Sequence, residues 1–373
     1  MFRRSLIRNA IVSLSSDGTV TDVSVCDDMD SQAGVEFYSG ILLPDMVNAH
    51  CHLELSYMKG RIPPGGGFTA FAKGMGTART GATREQRVAA AEDADAVLWS
   101  QGVGAVGDVC NGDSTFALKR RSRIGYTNFL ELFGMNTVSA DTLSELEREA
   151  AGMGLRAGIT PHSTYSLRDG AFVSAVCTGT DAVPLSVHFM ESPSEKELFE
   201  GRGEMHEWYV ERGTPIDFGR YRTPAGRIAA CVPADRDILL VHDCCVTEED
   251  VDTVMRHFTG RVTWVLCPRS NRYISGLVPP VELLRDKGVN IAIGTDSLAS
   301  NESLSMIDEL KALRGVPLEE ALTWVTEGGA AALGIDDRIG VFEPGRRSGA
   351  VLLEGVDMEH MELTANSRTR RIL

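Results

Sequence analysis

Short apolar runs recur along the chain, each ending in polar residues and followed by a stretch with helical spacing. They cover 41–48, 104–109, 125–130, 157–161, 185–189, 238–241, 262–267 and 290–293. Ile238-Leu239-Leu240-Val241 is apolar throughout rather than alternating, the pattern of a strand covered on both faces. The intervening segments are amphipathic. The clearest opens at Thr83, with Gln86 placed to complete a capping box, and closes near Gly102. Another covers 317–333 and stops at Gly334. Strands alternating with helices predict a parallel sheet, either closed into a barrel or doubly wound.

The chain ends break this pattern. Residues 1–43 carry short hydrophobic pieces separated by Ser16-Asp17-Gly18 and Asp27-Asp28 turns. The tail from Val341 passes Pro344-Gly345 before a second apolar run, Ala350-Val351-Leu352-Leu353. Together they predict a small β-sandwich built from both termini, 1–43 plus 341–373. The remainder, 44–340, is then an α/β unit of (β/α)8 TIM-like barrel type. The length agrees, because 373 residues exceed the roughly 250 that one barrel needs.

Composition narrows the class further. A hydrophobic content of 43% with 24% charged residues is that of an ordinary soluble globular protein. Residues 1–7 are basic and then apolar, but Arg8 and Asn9 end the run before a signal-peptide core can form. No apolar run approaches the roughly 20 residues of a membrane span, so a cytoplasmic protein is expected. A net charge of −15 sets the surface against nucleic acid and anionic membranes, leaving a small molecule as the expected substrate. Eight cysteines without a CxxC pair read as reduced core thiols, not as a disulfide scaffold.

Candidate chemistry gathers just after the apolar runs, where barrel enzymes keep their active sites. Asn48-Ala49-His50-Cys51-His52 follows the first run; residues i and i+2 share a face, so both imidazoles can reach one cation while Cys51 points away. His188 lies in the fifth run, with Glu191 three residues on. His242 follows the sixth and Gly294-Thr295-Asp296 the eighth. A lone HxH, or one histidine closing a strand, is ordinarily structural. Four of only eight histidines closing strands, with a carboxylate after the last, point instead to a metal centre. Imidazoles plus one carboxylate suit a single divalent ion, zinc with ferrous iron as the alternative, with a position left open for water. The stretch Thr160-Pro161-His162-Ser163 offers no lysine to bridge two cations.

This constellation resembles the amidohydrolase superfamily, in its cytosine deaminase and chlorohydrolase-like branch. Residues 47–56 (VNAHCHLELS) and 294–301 (GTDSLASN) look most like aminodeoxyfutalosine deaminases. The likeness covers nearly the whole chain; its narrowing to one substrate rests on those two motifs. It implies a barrel with a terminal β-sandwich, and one metal on His50, His52, His188 and Asp296. The implied reaction is hydrolytic deamination of an aminated heteroaromatic ring, with 6-amino-6-deoxyfutalosine of menaquinone biosynthesis as the candidate substrate. Guanine, cytosine or adenosine-type deamination and chlorohydrolysis are the alternatives, and a non-catalytic scaffold is a third reading.

By the same resemblance Glu191 shuttles protons between the attacking water, the ring nitrogen and the departing amine. Asp296 both ligates and accepts a proton, and His242 orients the water. His162 is a candidate substrate contact or else a core histidine, Glu54 a buried partner of a nearby cation or a substrate contact, Asn301 a further candidate substrate contact, and Phe68, Phe71, Tyr165 and Trp208 candidate pocket walls. Arg269, Ser270 and Asn271 either line the pocket or belong to a solvated loop. Relatives are often homodimers. The sequence departs from purine-nucleoside relatives at Gly67-Phe68-Thr69-Ala70-Phe71-Ala72-Lys73, which lacks the glutamate that grips a sugar. Pro64-Gly65-Gly66-Gly67 just before it reads as a lid hinge.

Overall fold

The structure is a computed structural model and describes residues 1–3, 5–26, 34–137 and 139–373. Eight parallel strands make the barrel: Met46–Cys51, Val103–Cys110, Gly125–Leu132, Arg156–Pro161, Leu185–Phe189, Ile238–His242, Val262–Leu266 and Asn290–Ile293. The first four hydrogen-bond in order as one parallel sheet and the last four as another. Two parallel bridges join these halves, Ser163 with His188 and Cys51 with Asp296. At one seam the amide of His188 donates to His162 O at 2.9 Å. At the other, the amides of Thr295 and Asp296 donate to His50 O at 3.0 and 3.1 Å. The expected barrel therefore closes through the same segments that carry the candidate chemistry.

Every residue of Met46–Cys51, Leu185–Phe189, Ile238–His242 and Val262–Leu266 is buried, as unbroken apolar runs require. Helix Arg84–Ser100 starts where the capping box places it: Gln86 N donates to Thr83 Oγ1 at 3.3 Å, and Thr83 N to Gln86 Oε1 at 3.0 Å.

Two expectations are corrected. The run 41–48 is not one strand, because Pro44 cannot donate to a ladder. Ile41–Leu43 joins a sheet at the chain ends, while Met46–Cys51 enters the barrel and carries His50 within it. The segment 317–333 is two helices, Leu318–Trp324 and Glu327–Ala332, separated at Thr326 with ψ −94°. The second helix lies so close to the first barrel strand that a Cβ on Gly329 would stand 2.7 Å from Val47 O. Only glycine allows that approach.

Strands from the two chain ends pair with one another. Val351–Asp357 lies antiparallel between Ile41–Leu43 and Glu362–Arg371. Ala10–Leu14 and Val20–Val25 form a hairpin tied to the tail by a Thr19–Arg347 bridge. The Asp27-Asp28 turn lies outside the described residues. Arg371 fastens the last strand to the barrel: its guanidinium sits 3.5 Å from the Trp99 ring centre, and Nη1 lies 2.7 Å from Asp45 Oδ1. Cys51, Cys110, Cys177, Cys231, Cys244, Cys245 and Cys267 are free thiols. No described helix is long and apolar enough to cross a membrane.

Candidate active site

The His-x-His arrangement at the end of the first barrel strand sends both imidazoles to one point. Nε2 of His52 lies 3.2 Å from Nε2 of His50 and 3.3 Å from Nε2 of His188. Oδ1 of Asp296 is 3.4 Å from the first of these nitrogens and 3.8 Å from the second. One ligand atom from each of His50, His52, His188 and Asp296 falls within 4.8 Å of all the others. Burial pushes the His50 imidazole well below its ordinary pKa, that of His52 to about 3, and lowers that of His188. Neutral imidazoles crowded nitrogen to nitrogen beside a carboxylate repel one another unless a cation sits among them, so this donor set fits one metal ion.

Groups around the cluster aim its donors. Nδ1 of His188 donates to His162 O at 2.8 Å, which leaves the Nε2 lone pair facing its neighbours. Oδ2 of Asp296 accepts the hydroxyls of Ser270 and Ser300, both at 2.6 Å, and Oδ1 is left toward the imidazoles. Asp296 (φ 55°) and His242 (φ 86°) are non-glycine residues in the left-handed region, a strain held by their surroundings. Cys51 is buried outside the cluster.

Glu191 and His242 stand beside this centre. Nε2 of His242 is 3.7 Å from Glu191 Oε1, while its Nδ1 donates to Asn271 Oδ1 at 2.8 Å. The carboxyl of Glu191 is pushed up to about 7, chiefly by burial, against the opposing influence of His188. The Tyr165 hydroxyl donates to its Oε2 at 3.2 Å. Such a carboxyl gives and takes protons readily near neutrality.

These groups open into a cavity of about 430 Å³. Its floor holds His52, His188, His242, Asp296 and Glu191, and Phe68, Phe71, Tyr165 and Trp208 all line its walls. That is the composition of a small-molecule site, mostly apolar with a few convergent polar groups.

Residues 41–371 match the profile described as Amidohydrolase family. The chain belongs to the amidohydrolase family. An adenosine deaminase from Helicobacter pylori is 27% identical over 328 residues, covering 84% of this chain and 78% of that protein. An aminodeoxyfutalosine deaminase from Deinococcus radiodurans is 29% identical over 303 residues, covering 74% and 69%. The crystal structure of Helicobacter pylori aminofutalosine deaminase in complex with methylthio-coformycin superposes with a TM-score of 0.80. It is 24% identical, with 96% of this chain and 89% of that chain covered.

In this amidohydrolase not every candidate reaches the cavity. His162 does, with its ring stacked 4.5 Å from that of His188 and Nδ1 2.9 Å from Ser166 Oγ. Glu54 does not: its carboxylate accepts the Asn111 amide at 3.2 Å, so the substrate contact expected of it is withdrawn. Asn301 is likewise occupied, its Nδ2 donating to Thr295 O at 3.0 Å and Glu309 Oε1 at 2.7 Å. Arg269 pairs with Glu302 and Asp308, away from the cavity. Ser270 and Asn271 are buried and hold Asp296 and His242 rather than lining a solvated loop. Glu131 was missed. It lines the cavity, with Oε1 3.9 Å from both His162 Nε2 and His188 Nδ1, and burial raises its carboxyl to about 8. Its signal was a carboxylate one residue beyond the apolar run 125–130.

Proposed function

We propose that this amidohydrolase is a metal-dependent hydrolytic deaminase of an aminated, purine-like ring, with 6-amino-6-deoxyfutalosine and adenosine as the leading substrates. The reading is carried by one observation: a cluster of three histidines and an aspartate shares a cavity with a buried carboxyl poised near neutrality. The kinship with deaminases named for adenosine and aminodeoxyfutalosine supports the choice of ring.

His50, His52, His188 and Asp296 would hold one divalent cation, and their borderline donor set favours zinc. Such a cation supplies a water acidic enough to attack at neutral pH. Glu191 would take one proton of that water on its carboxylate and deliver it to the ring nitrogen. His242, kept in one tautomer by Asn271, offers a bare Nε2 that orients the water. Asp296 would accept the second proton and pass it on to the amine, which departs as ammonia. His162 and the aromatic walls hold the ring flat against the centre.

We also read 44–340 as the catalytic barrel and 1–43 with 341–373 as its accessory β-sandwich. The pairing of Ile41–Leu43 with Val351–Asp357 supports that division.

Ammonia release from adenosine, 6-amino-6-deoxyfutalosine, guanine and cytosine tests the proposal, before and after chelation. Turnover of the purine nucleosides, lost on chelation and restored by zinc, is expected. No ammonia from any of them, or full activity after exhaustive chelation, overturns it.

A further inference from the structure

Away from the active-site cavity, a buried amine stands in contact with a buried thiol. Cys110 closes the second barrel strand, Val103–Cys110, and Lys119 lies in the helix after it, Phe116–Arg121. Nζ of Lys119 is 3.0 Å from Sγ of Cys110, and both residues are buried. Lysine is seldom enclosed without a counter-charge, and here Oδ2 of Asp108 supplies it. Nζ also donates to Oδ1 of Asn128 at 2.7 Å. The ammonium is thus held in three directions, and the third ends on sulfur, the weakest acceptor of the set. A thiol adds little to that pairing. What it adds is an oxidisable atom set against nitrogen.

We propose that Cys110 and Lys119 form an oxidant-sensitive modification site, at which Sγ and Nζ become joined through one oxygen atom. The chemistry balances with hydrogen peroxide as the co-reactant. Sulfur and nitrogen each give up two electrons, and the O–O bonds of two peroxide molecules break to accept them. One S–H bond and two N–H bonds break while one S–O and one N–O bond form. One peroxide oxygen remains in the bridge and three leave as water. Lys119 enters as an ammonium, so one proton more is released than a neutral amine would give. Oδ2 of Asp108 lies beside that nitrogen to take it. The buried ion pair is discharged on both sides, and no charge is left in the core without a partner.

Proximity, not acidity, makes the pair reactive. Burial pushes the Cys110 thiol up to about 12, so it is no exposed, acidic sensor of the usual kind. A sulfenic acid formed there faces the amine instead of water, at a separation that acts as a very high local concentration. A bridging oxygen suits the present gap, whereas a direct S–N bond would require a much closer approach. Enclosure also restricts the reagent. Peroxide is small enough to enter as the core fluctuates, and glutathione disulfide is not.

The metal-loaded protein, treated with hydrogen peroxide and then digested with trypsin, tests this. Residues 88–118 hold no lysine or arginine, so both partners stay in one fragment. That fragment should gain one oxygen, lose two hydrogens and resist cleavage after Lys119. Dithiothreitol should restore both the original mass and the cleavage. Crystals of the oxidised protein should show an atom joining Nζ to Sγ. Cys110→Ala, which leaves the Lys119–Asp108 pair in place, should abolish the change. So should Lys119→Arg, which keeps the charge. Exposed Cys177 serves as the internal measure of oxidation. A fragment still unmodified once Cys177 is oxidised overturns the proposal, as does oxidation of sulfur alone with Lys119 still cleaved. Loss of two hydrogens without oxygen, the mark of a direct S–N bond or a disulfide, overturns it too. A mass change that dithiothreitol leaves untouched, or that Cys110→Ala retains, has the same consequence.

Discussion

Ser270 donates its hydroxyl to Oδ2 of Asp296 at 2.6 Å, and so decides which oxygen of that carboxylate faces the imidazoles. Ser300, four residues after Asp296, donates to the same oxygen. Removing both hydroxyls frees the carboxylate to rotate and leaves Oδ2 without donors in a buried site. Ser270→Ala with Ser300→Ala should weaken zinc binding by about 10–100-fold, the usual effect of losing the groups that orient a ligand. Competition against a fluorescent chelator reads this directly. Wild-type affinity in the double variant would show that the hydroxyls do not aim the ligand.

Glu191→Gln separates binding from proton transfer. The substitution keeps size and hydrogen-bonding capacity beside Tyr165, and touches none of the four clustered donors. Metal content by plasma emission should stay at the wild-type stoichiometry, while ammonia release drops by about 10²–10⁴-fold. Near-wild-type turnover would remove Glu191 from the proton path.

The Tyr165 hydroxyl tunes that same carboxyl. Burial raises Glu191 to about 7, and the hydrogen bond from Tyr165 opposes the rise. A group that must be ionised to accept a proton gives a rate that falls as pH drops through its pKa. Tyr165→Phe removes the donor, favours the protonated form, and should move the acidic limb of kcat/KM upward by about half to one pH unit. A limb that stays put, or moves down, would mean that another group sets it.

The fold is legible in the sequence where burial dictates pattern. Strands covered on both faces leave unbroken apolar runs, and the i, i+2 rule was enough to bring His50 and His52 together. It is illegible where a contact depends on a distant segment. Nothing around Gly329 announces that Val47 will press on it, and nothing around Thr326 that the helical stretch 317–333 divides there. Glu54 and Asn301 sit near site residues in sequence, yet backbone amides and Glu309 claim their side chains. Ser270 and Ser300 matter only through Asp296, and single hydroxyls carry no periodicity by which to find them. Glu131 was the legible omission, since its strand simply runs on through Leu132.

A buried ion pair between the second barrel strand and the helix after it holds the segment that follows His52, and its energetics can be separated from its packing. Lys119 and Asp108 are both fully enclosed, with Nζ 2.5 Å from Oδ2. Oδ1 of the same aspartate accepts the amide of Leu53 at 2.7 Å, and Leu53 follows His52. Lys119→Met therefore leaves a charge buried without its partner, at a cost of about 3–5 kcal/mol. Adding Asp108→Asn removes that charge and still offers Leu53 an acceptor, so the double variant should regain more than half of the loss. Full recovery is not expected, because Asn128 Oδ1, 2.7 Å from Nζ, also loses its donor. Urea midpoints of the two variants measure the difference. A double variant no more stable than the single would place the cost in the volume of the lysine stem, not in the unpaired charge.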